Sequence, residues 1–184
     1  MRIIAGRKKG LIIKSIEGES TRPTKDMVRE ALFSILTNKI AEAHFLDLFA
    51  GSGAIGIEAI SRGASAALFS DSNPKCTKII KENISKAGFE AESIVYNLDY
   101  KAVLSMLSCE QKKFDIIYVD PPYHKGLGIS ALSLISDYGI LNEDGIIILE
   151  TDANEEVLLE VGVFERYNYK KYGRNVLNLY RRKG

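Results

Sequence analysis

The stretch Phe45–Gly56 reads FLDLFAGSGAIG and decides the fold. Its apolar beginning, Phe45–Phe49, predicts a buried β-strand, and Ala54–Arg62 predicts a helix directly after it. The glycines between them match G-x-G-x-x-G at a strand-to-helix turn, where the backbone passes so close to a ligand that a side chain would collide. Asp71 lies twenty residues beyond Gly51, at the end of the next predicted strand, where a carboxylate can bind ribose hydroxyls. The stretch therefore predicts a site for a nucleotide-type cofactor.

Strands and helices alternate along the rest of the central chain. The further predicted strands are 66–71, 93–97, 114–119 and 146–149, and the predicted helices are 74–87, 101–107 and 129–138. Because the strands are apolar throughout, they predict a parallel sheet with helices on both faces. Residues 164–172 and 176–180 then predict an antiparallel hairpin at the end of a doubly wound α/β sheet.

The first 40 residues precede this pattern. Residues 2–4 and 10–16 predict a short basic β-hairpin, and the apolar spacing of residues 27–36 predicts an amphipathic helix. We therefore expect an N-terminal extension at 1–40 that packs on the core, followed by the main α/β domain at 41–184.

The composition excludes several classes of protein. Apolar residues make up 46% of the 184 residues and charged residues 27%, which is the balance of one ordinary globular domain. No apolar run approaches the ~20 residues of a membrane span, and the basic start excludes a signal-peptide core. Cys76 and Cys109 are far apart, and His44 and His124 lack ligand spacing. We therefore expect reduced thiols, no metal site and a cytoplasmic location.

The charges are segregated along the chain, although the formal net charge is only +1. Residues 1–30 hold eight Lys/Arg against four Asp/Glu, and residues 165–184 hold seven against one. The residues between them hold ten against nineteen. An acidic middle with basic ends indicates an anionic partner that meets the ends, with chance variation of surface charge as the alternative.

Further acidic residues accompany the predicted strands. Asp47 lies in the first strand, close to the glycine turn. A carboxylate there suits the cationic methionine end of S-adenosylmethionine better than the pyrophosphate of a dinucleotide. Asp99 follows the third strand, where it can accept a hydrogen bond from an adenine amino group. A nicotinamide dinucleotide stays open as the alternative cofactor, and so does a loop- or helix-capping role for each acid.

The fourth predicted strand ends in Asp120-Pro121-Pro122-Tyr123. The exocyclic amine of a nucleobase is a poor nucleophile because its lone pair is delocalised into the ring. The Asp120 carboxylate and the Pro121 carbonyl can each accept one amine hydrogen, which points the lone pair at a sulfonium methyl about 3–3.5 Å away. The prolines fix these acceptors in place, and Tyr123 can stack on a base that has left its own stack.

These residues carry a resemblance to a known family. DLFAGSG at 47–53 and DPPY at 120–123 resemble the class I S-adenosylmethionine-dependent amino-methyltransferases. More narrowly, MRIIAG at 1–6, RPTKDMVREALF at 22–33 and SRGA at 61–64 are similar to the bacterial 16S ribosomal RNA guanine-N2 methyltransferases. The resemblance implies a Rossmann-like fold with a mostly parallel seven-stranded sheet. It also implies S-adenosylmethionine as cofactor, and methylation of a guanine in ribosomal RNA or the assembling small subunit. The sequence leaves the oligomeric state open, and a monomer is the simplest expectation.

The resemblance implies roles for individual residues as well. Asp120 and Pro121 bind the target amine, and Tyr123 holds the base. The implied cofactor residues are Asp47, Phe49, Ala50, Gly51, Ser52, Gly53, Asp71, Ser72, Leu98 and Asp99. The implied RNA contacts are Arg2, Arg7, Lys8, Lys9 and Lys14 on the phosphate backbone, with Arg22 and Thr24 at the cleft entrance.

Other functions stay open at this point. A DNA adenine or protein glutamine amino-methyltransferase shares the 120–123 signature, although such enzymes often carry Asn at position 120. A nicotinamide-dependent oxidoreductase would use the same glycine turn, and a non-catalytic RNA-binding assembly factor would use only the basic ends. The last hairpin holds four tyrosines that either stack on RNA bases or fill a half-buried strand: Tyr167, Tyr169, Tyr172 and Tyr180.

Overall fold

The computed structural model describes residues 1–16 and 23–184, with side chains from residue 26 onward in the second range. The helices are α1 (Pro23–Ile35), α2 (Ala54–Ser61), α3 (Pro74–Ala87), α4 (Tyr100–Cys109) and α5 (Leu127–Tyr138). The strands are β1 (His44–Asp47), β2 (Ala66–Ser70), β3 (Ser93–Tyr96), β4 (Phe114–Val119), β5 (Leu141–Asp152), β6 (Glu160–Val161), β7 (Phe164–Tyr172) and β8 (Asn175–Arg182). None of the described helices has the length and apolar character needed to cross a membrane.

The strands form one sheet in the order β3-β2-β1-β4-β5-β8-β7-β6. Strands β1 to β5 pair in parallel, whereas β8 runs antiparallel to β5 and β7 antiparallel to β8. The mostly parallel α/β sheet with an antiparallel C-terminal hairpin is therefore confirmed. Within residues 1–16 and 23–184 the sheet has eight strands rather than the expected seven, because Glu160 and Val161 pair with β7 at its edge. Two residues are too few to show a strand period in the sequence.

Both faces of the sheet are buried, as the apolar strands predict. On β4, Ile116 and Tyr118 pack into the hydrophobic layer beneath α1, α2 and α3. Ile117 and Val119 point the other way, into the layer beneath α4 and α5. Alternation of this kind follows from the two-residue period of a strand. Because helices cover both faces of the parallel strands, a ligand can reach polar groups of these strands at their ends.

The N-terminal segment packs on the same core. Arg2 and Ile12 form a single antiparallel bridge, so the expected hairpin is present but has no regular strands. Ile3 and Ile13 are 1% and 2% exposed and belong to the layer that also contains Phe45 of β1. The division at residue 40 into an extension and a main domain stays a prediction.

Glu58 on α2 binds this segment to the sheet. Its Oε2 accepts a hydrogen bond from Ile4 N at 2.8 Å, and its Oε1 accepts from Ala5 N at 2.9 Å. The side chain is fully buried, and Arg62 Nε donates to it at 2.8 Å. The Glu58 carboxylate thus accepts three hydrogen bonds, one of them from a cation. This arrangement offsets the cost of removing a carboxylate from water.

The end of α2 holds the next residues of the segment. Ser61 O accepts from Arg7 N at 2.7 Å, and Ser61 Oγ accepts from Lys8 N at 3.0 Å. Gly6 lies between these contacts with a φ of +82°, and a Cβ there would be 1.8 Å from Ser61 O. The close approach and the left-handed backbone both require glycine at position 6.

We expect Glu58→Gln to lower the free energy of unfolding by about 3 kcal/mol, because it leaves Arg62 without a buried counter-charge and one N–H of the segment without an acceptor. Urea denaturation followed by circular dichroism measures the change. The control is Glu110→Gln, which removes a solvent-exposed ion pair with Lys112 and should change the stability little. Equal stability of the two variants would contradict the anchoring role of Glu58.

Candidate active site

A cleft of about 1070 Å³ opens at the carboxyl ends of the parallel strands. The strands end side by side, so residues distant in sequence meet there. The predicted residues at its wall are Asp47, Phe49, Ala50, Gly51, Ser52, Asp71, Ser72, Leu98, Asp99, Asp120, Pro121 and Tyr123. The structure thus places nearly all predicted cofactor and amine-binding residues around one space. Their roles in binding stay predictions.

The glycine turn forms the floor between β1 and α2. Gly51 has a φ of +54°, and Gly53, which precedes the first residue of α2, has a φ of +76°. A Cβ on Gly53 would lie 3.2 Å from Ile80 of α3. Gly53 is not among the residues at the cleft wall, so it shapes the turn from behind, while Gly51 and Ser52 face the cleft.

Asp47 lies at the end of β1 and is 1% exposed. Its Oδ2 accepts a hydrogen bond from Gly56 N at 3.1 Å. Burial raises the pKa of Asp47 to about 7, the negative charge of Asp71 adds to the rise, and the bond from Gly56 opposes it. A carboxyl group with this pKa is poised to bind a cation, because a positive ligand favours its charged form.

The carboxylates of Asp71 and Asp99 accept hydrogen bonds from backbone N–H groups, and both residues also line the cleft. Asp71 Oδ2 accepts from Gly51 N at 2.9 Å, which ties the end of β2 to the glycine turn. Asp99 caps α4, where its Oδ1 accepts from Lys101 N at 2.9 Å and from Ala102 N at 3.0 Å. Asp99 therefore does cap a helix, which was the alternative to cofactor binding. The capping hydrogen bonds orient its carboxylate, which also lies at the cleft wall.

A carboxylate that the sequence patterns did not single out lies next to the DPPY segment. Glu150 near the end of β5 is 6% exposed, and Tyr118 of β4 donates a hydrogen bond to its Oε2. Its Oε1 accepts from Tyr123 Oη at 3.3 Å and from Asn175 Nδ2. Asn175 Nδ2 also donates to Tyr123 Oη at 3.0 Å. Tyr123 is thus held by a buried acid and by the first residue of β8.

Burial raises the pKa of Tyr123, and the negative charges of Asp120 and Glu150 add to the rise. The phenol therefore stays protonated and acts as a hydrogen-bond donor. Glu150 carries the same signal that identified Asp47, an acidic residue at the end of an apolar strand, and could have been found in that way. Asn175 carries no such signal, because only the fold of the C-terminal hairpin brings it to the cleft.

The predicted RNA contacts of the N-terminal segment do not lie at the cleft. Arg7 pairs with Glu92 at 3.0 Å, and its Cζ lies 4.9 Å from the ring centroid of Phe89. Phe89 follows the end of α3, whose 14 residues span about 20 Å from the cleft side. Lys8 lies over the same ring, and Lys14 pairs with Glu82 in the middle of α3.

The other predicted RNA contacts are either exposed away from the cleft or outside the described residues. Arg2 and Lys9 are exposed and do not line the cleft. Arg22 lies outside the described residues, and so does the side chain of Thr24. Among the described residues, no group of three or more His, Cys, Asp or Glu side chains is arranged to hold a metal ion.

The tyrosines of the last hairpin divide into two groups. Tyr180 is fully buried and donates a hydrogen bond to Leu158 O at 2.6 Å, and Tyr172 packs against the core. These two support the half-buried alternative. Tyr167 and Tyr169 are 40% and 58% exposed, and each lies beside an arginine, so base stacking stays a prediction for them.

Comparisons with known proteins agree with this geometry. The family model described as Conserved hypothetical protein 95 matches residues 1–181. The YlbH protein of Bacillus subtilis is 36% identical over 184 residues, which is 100% of both chains. Ribosomal RNA small subunit methyltransferase D of Escherichia coli K12 is 32% identical over 184 residues, covering 99% of this chain and 90% of the relative. The solved structure of Escherichia coli yhhF aligns with a TM-score of 0.86 and 27% identity, over 100% of this chain and 98% of that one.

The raised pKa of Asp47 predicts a pH dependence of stability. Between its ordinary pKa of 3.8 and about 7, the folded chain holds a proton at this site that the unfolded chain has lost. The resulting stabilisation is complete below pH 3.8 and is lost as the pH rises through about 7. We expect the stability of the wild type to fall, relative to Asp47→Asn, by on the order of 4 kcal/mol across this range.

Urea denaturation at a series of pH values measures this difference. Asp144→Asn is the control, because it changes an exposed carboxylate outside the cleft and should give a curve parallel to that of the wild type. Parallel curves for the wild type and Asp47→Asn would show that the site does not hold a proton in this range.

Proposed function

The chain belongs to the Conserved hypothetical protein 95 family, and we propose that it is an S-adenosylmethionine-dependent methyltransferase acting on the N2 amine of a guanine in small-subunit ribosomal RNA. The proposal is supported by 32% identity over nearly the whole chain to Ribosomal RNA small subunit methyltransferase D of Escherichia coli. Such a substrate implies work in the bacterial cytoplasm.

One observation carries the reaction type. The glycine turn, the acids Asp47, Asp71 and Asp99, and the Asp120-Pro121 pair all line a single cleft. The donor set fits S-adenosylmethionine, because Asp47 suits an ammonium group, Asp71 suits ribose hydroxyls and Asp99 suits an adenine amine. The same cleft continues to the acceptors for the target amine.

The chain's own groups would prepare the target amine. When bound, S-adenosylmethionine supplies a methyl group on a positively charged sulfur. The Asp120 carboxylate and the Pro121 carbonyl accept the two amine hydrogens and orient the nitrogen lone pair. Asp120 then holds the proton that the nitrogen loses on methylation. The guanine must leave its stack to reach these acceptors, so the target nucleotide is flipped out or single-stranded.

Tyr123 would hold the base from the side, with its own position set by other residues. Glu150 and Asn175 bind the phenol oxygen, so the ring is oriented before the base arrives. The basic loop around Arg7 lies about 20 Å along α3 from the cleft, which is too far for the phosphates next to the target nucleotide. If that loop binds RNA, it binds a more distant part of the same substrate.

Asp120→Ala should reduce methyl transfer to undermodified small-subunit RNA by about 100-fold or more, because one amine hydrogen loses its acceptor. Tritiated-methyl transfer to RNA, DNA and protein fractions gives the rate and the substrate class, and mass mapping of nucleosides identifies the methylated position. Asp137→Ala, at an exposed position on α5, is the control and should retain full activity. Full activity of Asp120→Ala, or methylation of DNA or protein only, would contradict the proposal.

Tyr123→Phe and Asn175→Ala should impair the same step. Tyr123→Phe removes both hydrogen bonds of the phenol oxygen, and Asn175→Ala removes the one from Asn175. We therefore expect each variant to raise KM for RNA by about 5- to 10-fold. Because Tyr123→Phe already removes the bond from Asn175, the double variant should be no worse than Tyr123→Phe alone. Asn168→Ala on β7 is the control and should leave KM unchanged. Additive losses in the double variant would indicate independent roles.

A further inference from the structure

Arg29 of α1 is a buried cation at the cleft wall. Its side chain is 3% exposed, and Nη2 donates hydrogen bonds to Arg2 O at 2.6 Å and to Asp26 Oδ1 at 3.1 Å. Nε and Nη1 are buried and have no hydrogen-bond partner in the structure. Most buried polar groups in proteins are paired, so donors left over at a cleft wall indicate a ligand with an acceptor.

The charge of Arg29 is also poorly balanced. Burial lowers its pKa, and the negative charges of Glu58 and Asp26 oppose that effect only in part. Glu58 is already bound to Ile4, Ala5 and Arg62, and Asp26 is largely exposed. An additional anion beside Arg29 would therefore be stabilised both by charge and by the available donors.

The rest of the cleft wall would repel an anion. Its described carboxyl groups belong to Asp26, Asp47, Asp71, Asp99, Asp120 and Glu150. The other described cationic side chains at the wall are Lys125 and Arg174, which lie beside the DPPY segment and the hairpin turn. Both are exposed, and Arg174 is paired with Asp152. Met1 also lies at the wall, and its ammonium group donates to Ile13 O at 3.2 Å. Among the described residues, Arg29 is thus the buried cationic side chain at the cleft wall.

We propose that Arg29 binds the carboxylate of the cofactor's methionine end, while Asp47 binds the ammonium group of the same end. The inference rests on the proposed function, since it needs a ligand that carries an α-amino acid. A zwitterionic end requires one cation and one anion in the wall of the same cleft, and Arg29 and Asp47 are both buried there. An RNA phosphate suits Arg29 less well, because a phosphate within a polynucleotide chain reaches a side chain that is 3% exposed less readily than the carboxylate at the end of a small ligand does.

The test measures binding by calorimetry, without catalysis. S-adenosylhomocysteine is compared with S-adenosyl-3-thiopropylamine, which keeps the amine and lacks the carboxylate. For the wild type we expect the carboxylate to increase affinity by about 10- to 100-fold. In Arg29→Met this ratio should fall to within about 3-fold of unity, because the carboxylate of S-adenosylhomocysteine then has no cationic partner and gains nothing over the amine analogue. Arg29→Lys, which keeps the charge, should restore part of it.

Arg174→Met is the matched control, since it removes the exposed arginine beside the hairpin turn and should leave the ratio as in the wild type. Thermal unfolding without ligand reports on folding of each variant. If Arg29→Met does not fold, the ratio in the wild type and in Arg29→Lys decides the question.

The outcomes separate this inference from the proposed function. If S-adenosylhomocysteine does not bind the wild type at all, the proposed function fails together with the inference. If it binds with the same affinity as the amine analogue, or if Arg29→Met weakens both ligands equally, only the role of Arg29 is overturned. Loss of RNA binding in Arg29→Met with an unchanged ligand ratio would assign Arg29 to a phosphate instead, and would also overturn the inference.

Discussion

The close contact between α2 and the sheet is the constraint on which the other features depend. Gly56 allows it, because a Cβ at that position would lie 2.2 Å from Cε1 of Phe69, a fully buried ring on β2. At this distance the N–H of Gly56 reaches the Asp47 carboxylate and the glycine turn closes against β1. The same placement carries Glu58 toward the N-terminal segment, so one short helix connects the cleft to the first residues of the chain.

The acidic side chains and the basic N-terminal loop around Arg7 lie in different parts of the structure. Acidic side chains gather at the carboxyl ends of the parallel strands, around a cleft that suits a cationic ligand and a hydrogen-donating base. The basic loop at Arg7 lies near the far end of α3, where Arg7 is already paired with Glu92. The low net charge of the chain therefore conceals an acidic cleft and a basic loop that lie apart. An RNA that meets both would have to extend along the molecule.

The C-terminal hairpin completes the cleft instead of only closing the sheet. Strand β8 pairs with β5 so that Asn175 lies opposite Asp152 and near Glu150. From there Asn175 reaches Tyr123, which belongs to a loop 52 residues earlier. Glu150 accepts hydrogen bonds from β4, the DPPY loop and β8, and so joins three parts of the chain around one buried carboxylate. Loss of any of these donors is costly because the acid is shielded from water.

Much of the fold and of the site follows from local patterns in the sequence. Strand and helix periods predicted α3 and β4 with the bounds they have, and the rule that parallel strands end at one edge brought Asp47, Asp71, Asp99 and Asp120 together. Tertiary structure alone decided that Arg29 is buried at the cleft, that Asn175 holds Tyr123 and that the basic loop lies away from both. The reason is physical. A periodic pattern records which face of an element is buried, whereas burial of a single polar side chain depends on neighbours that are distant in the sequence and meet only when the sheet has formed.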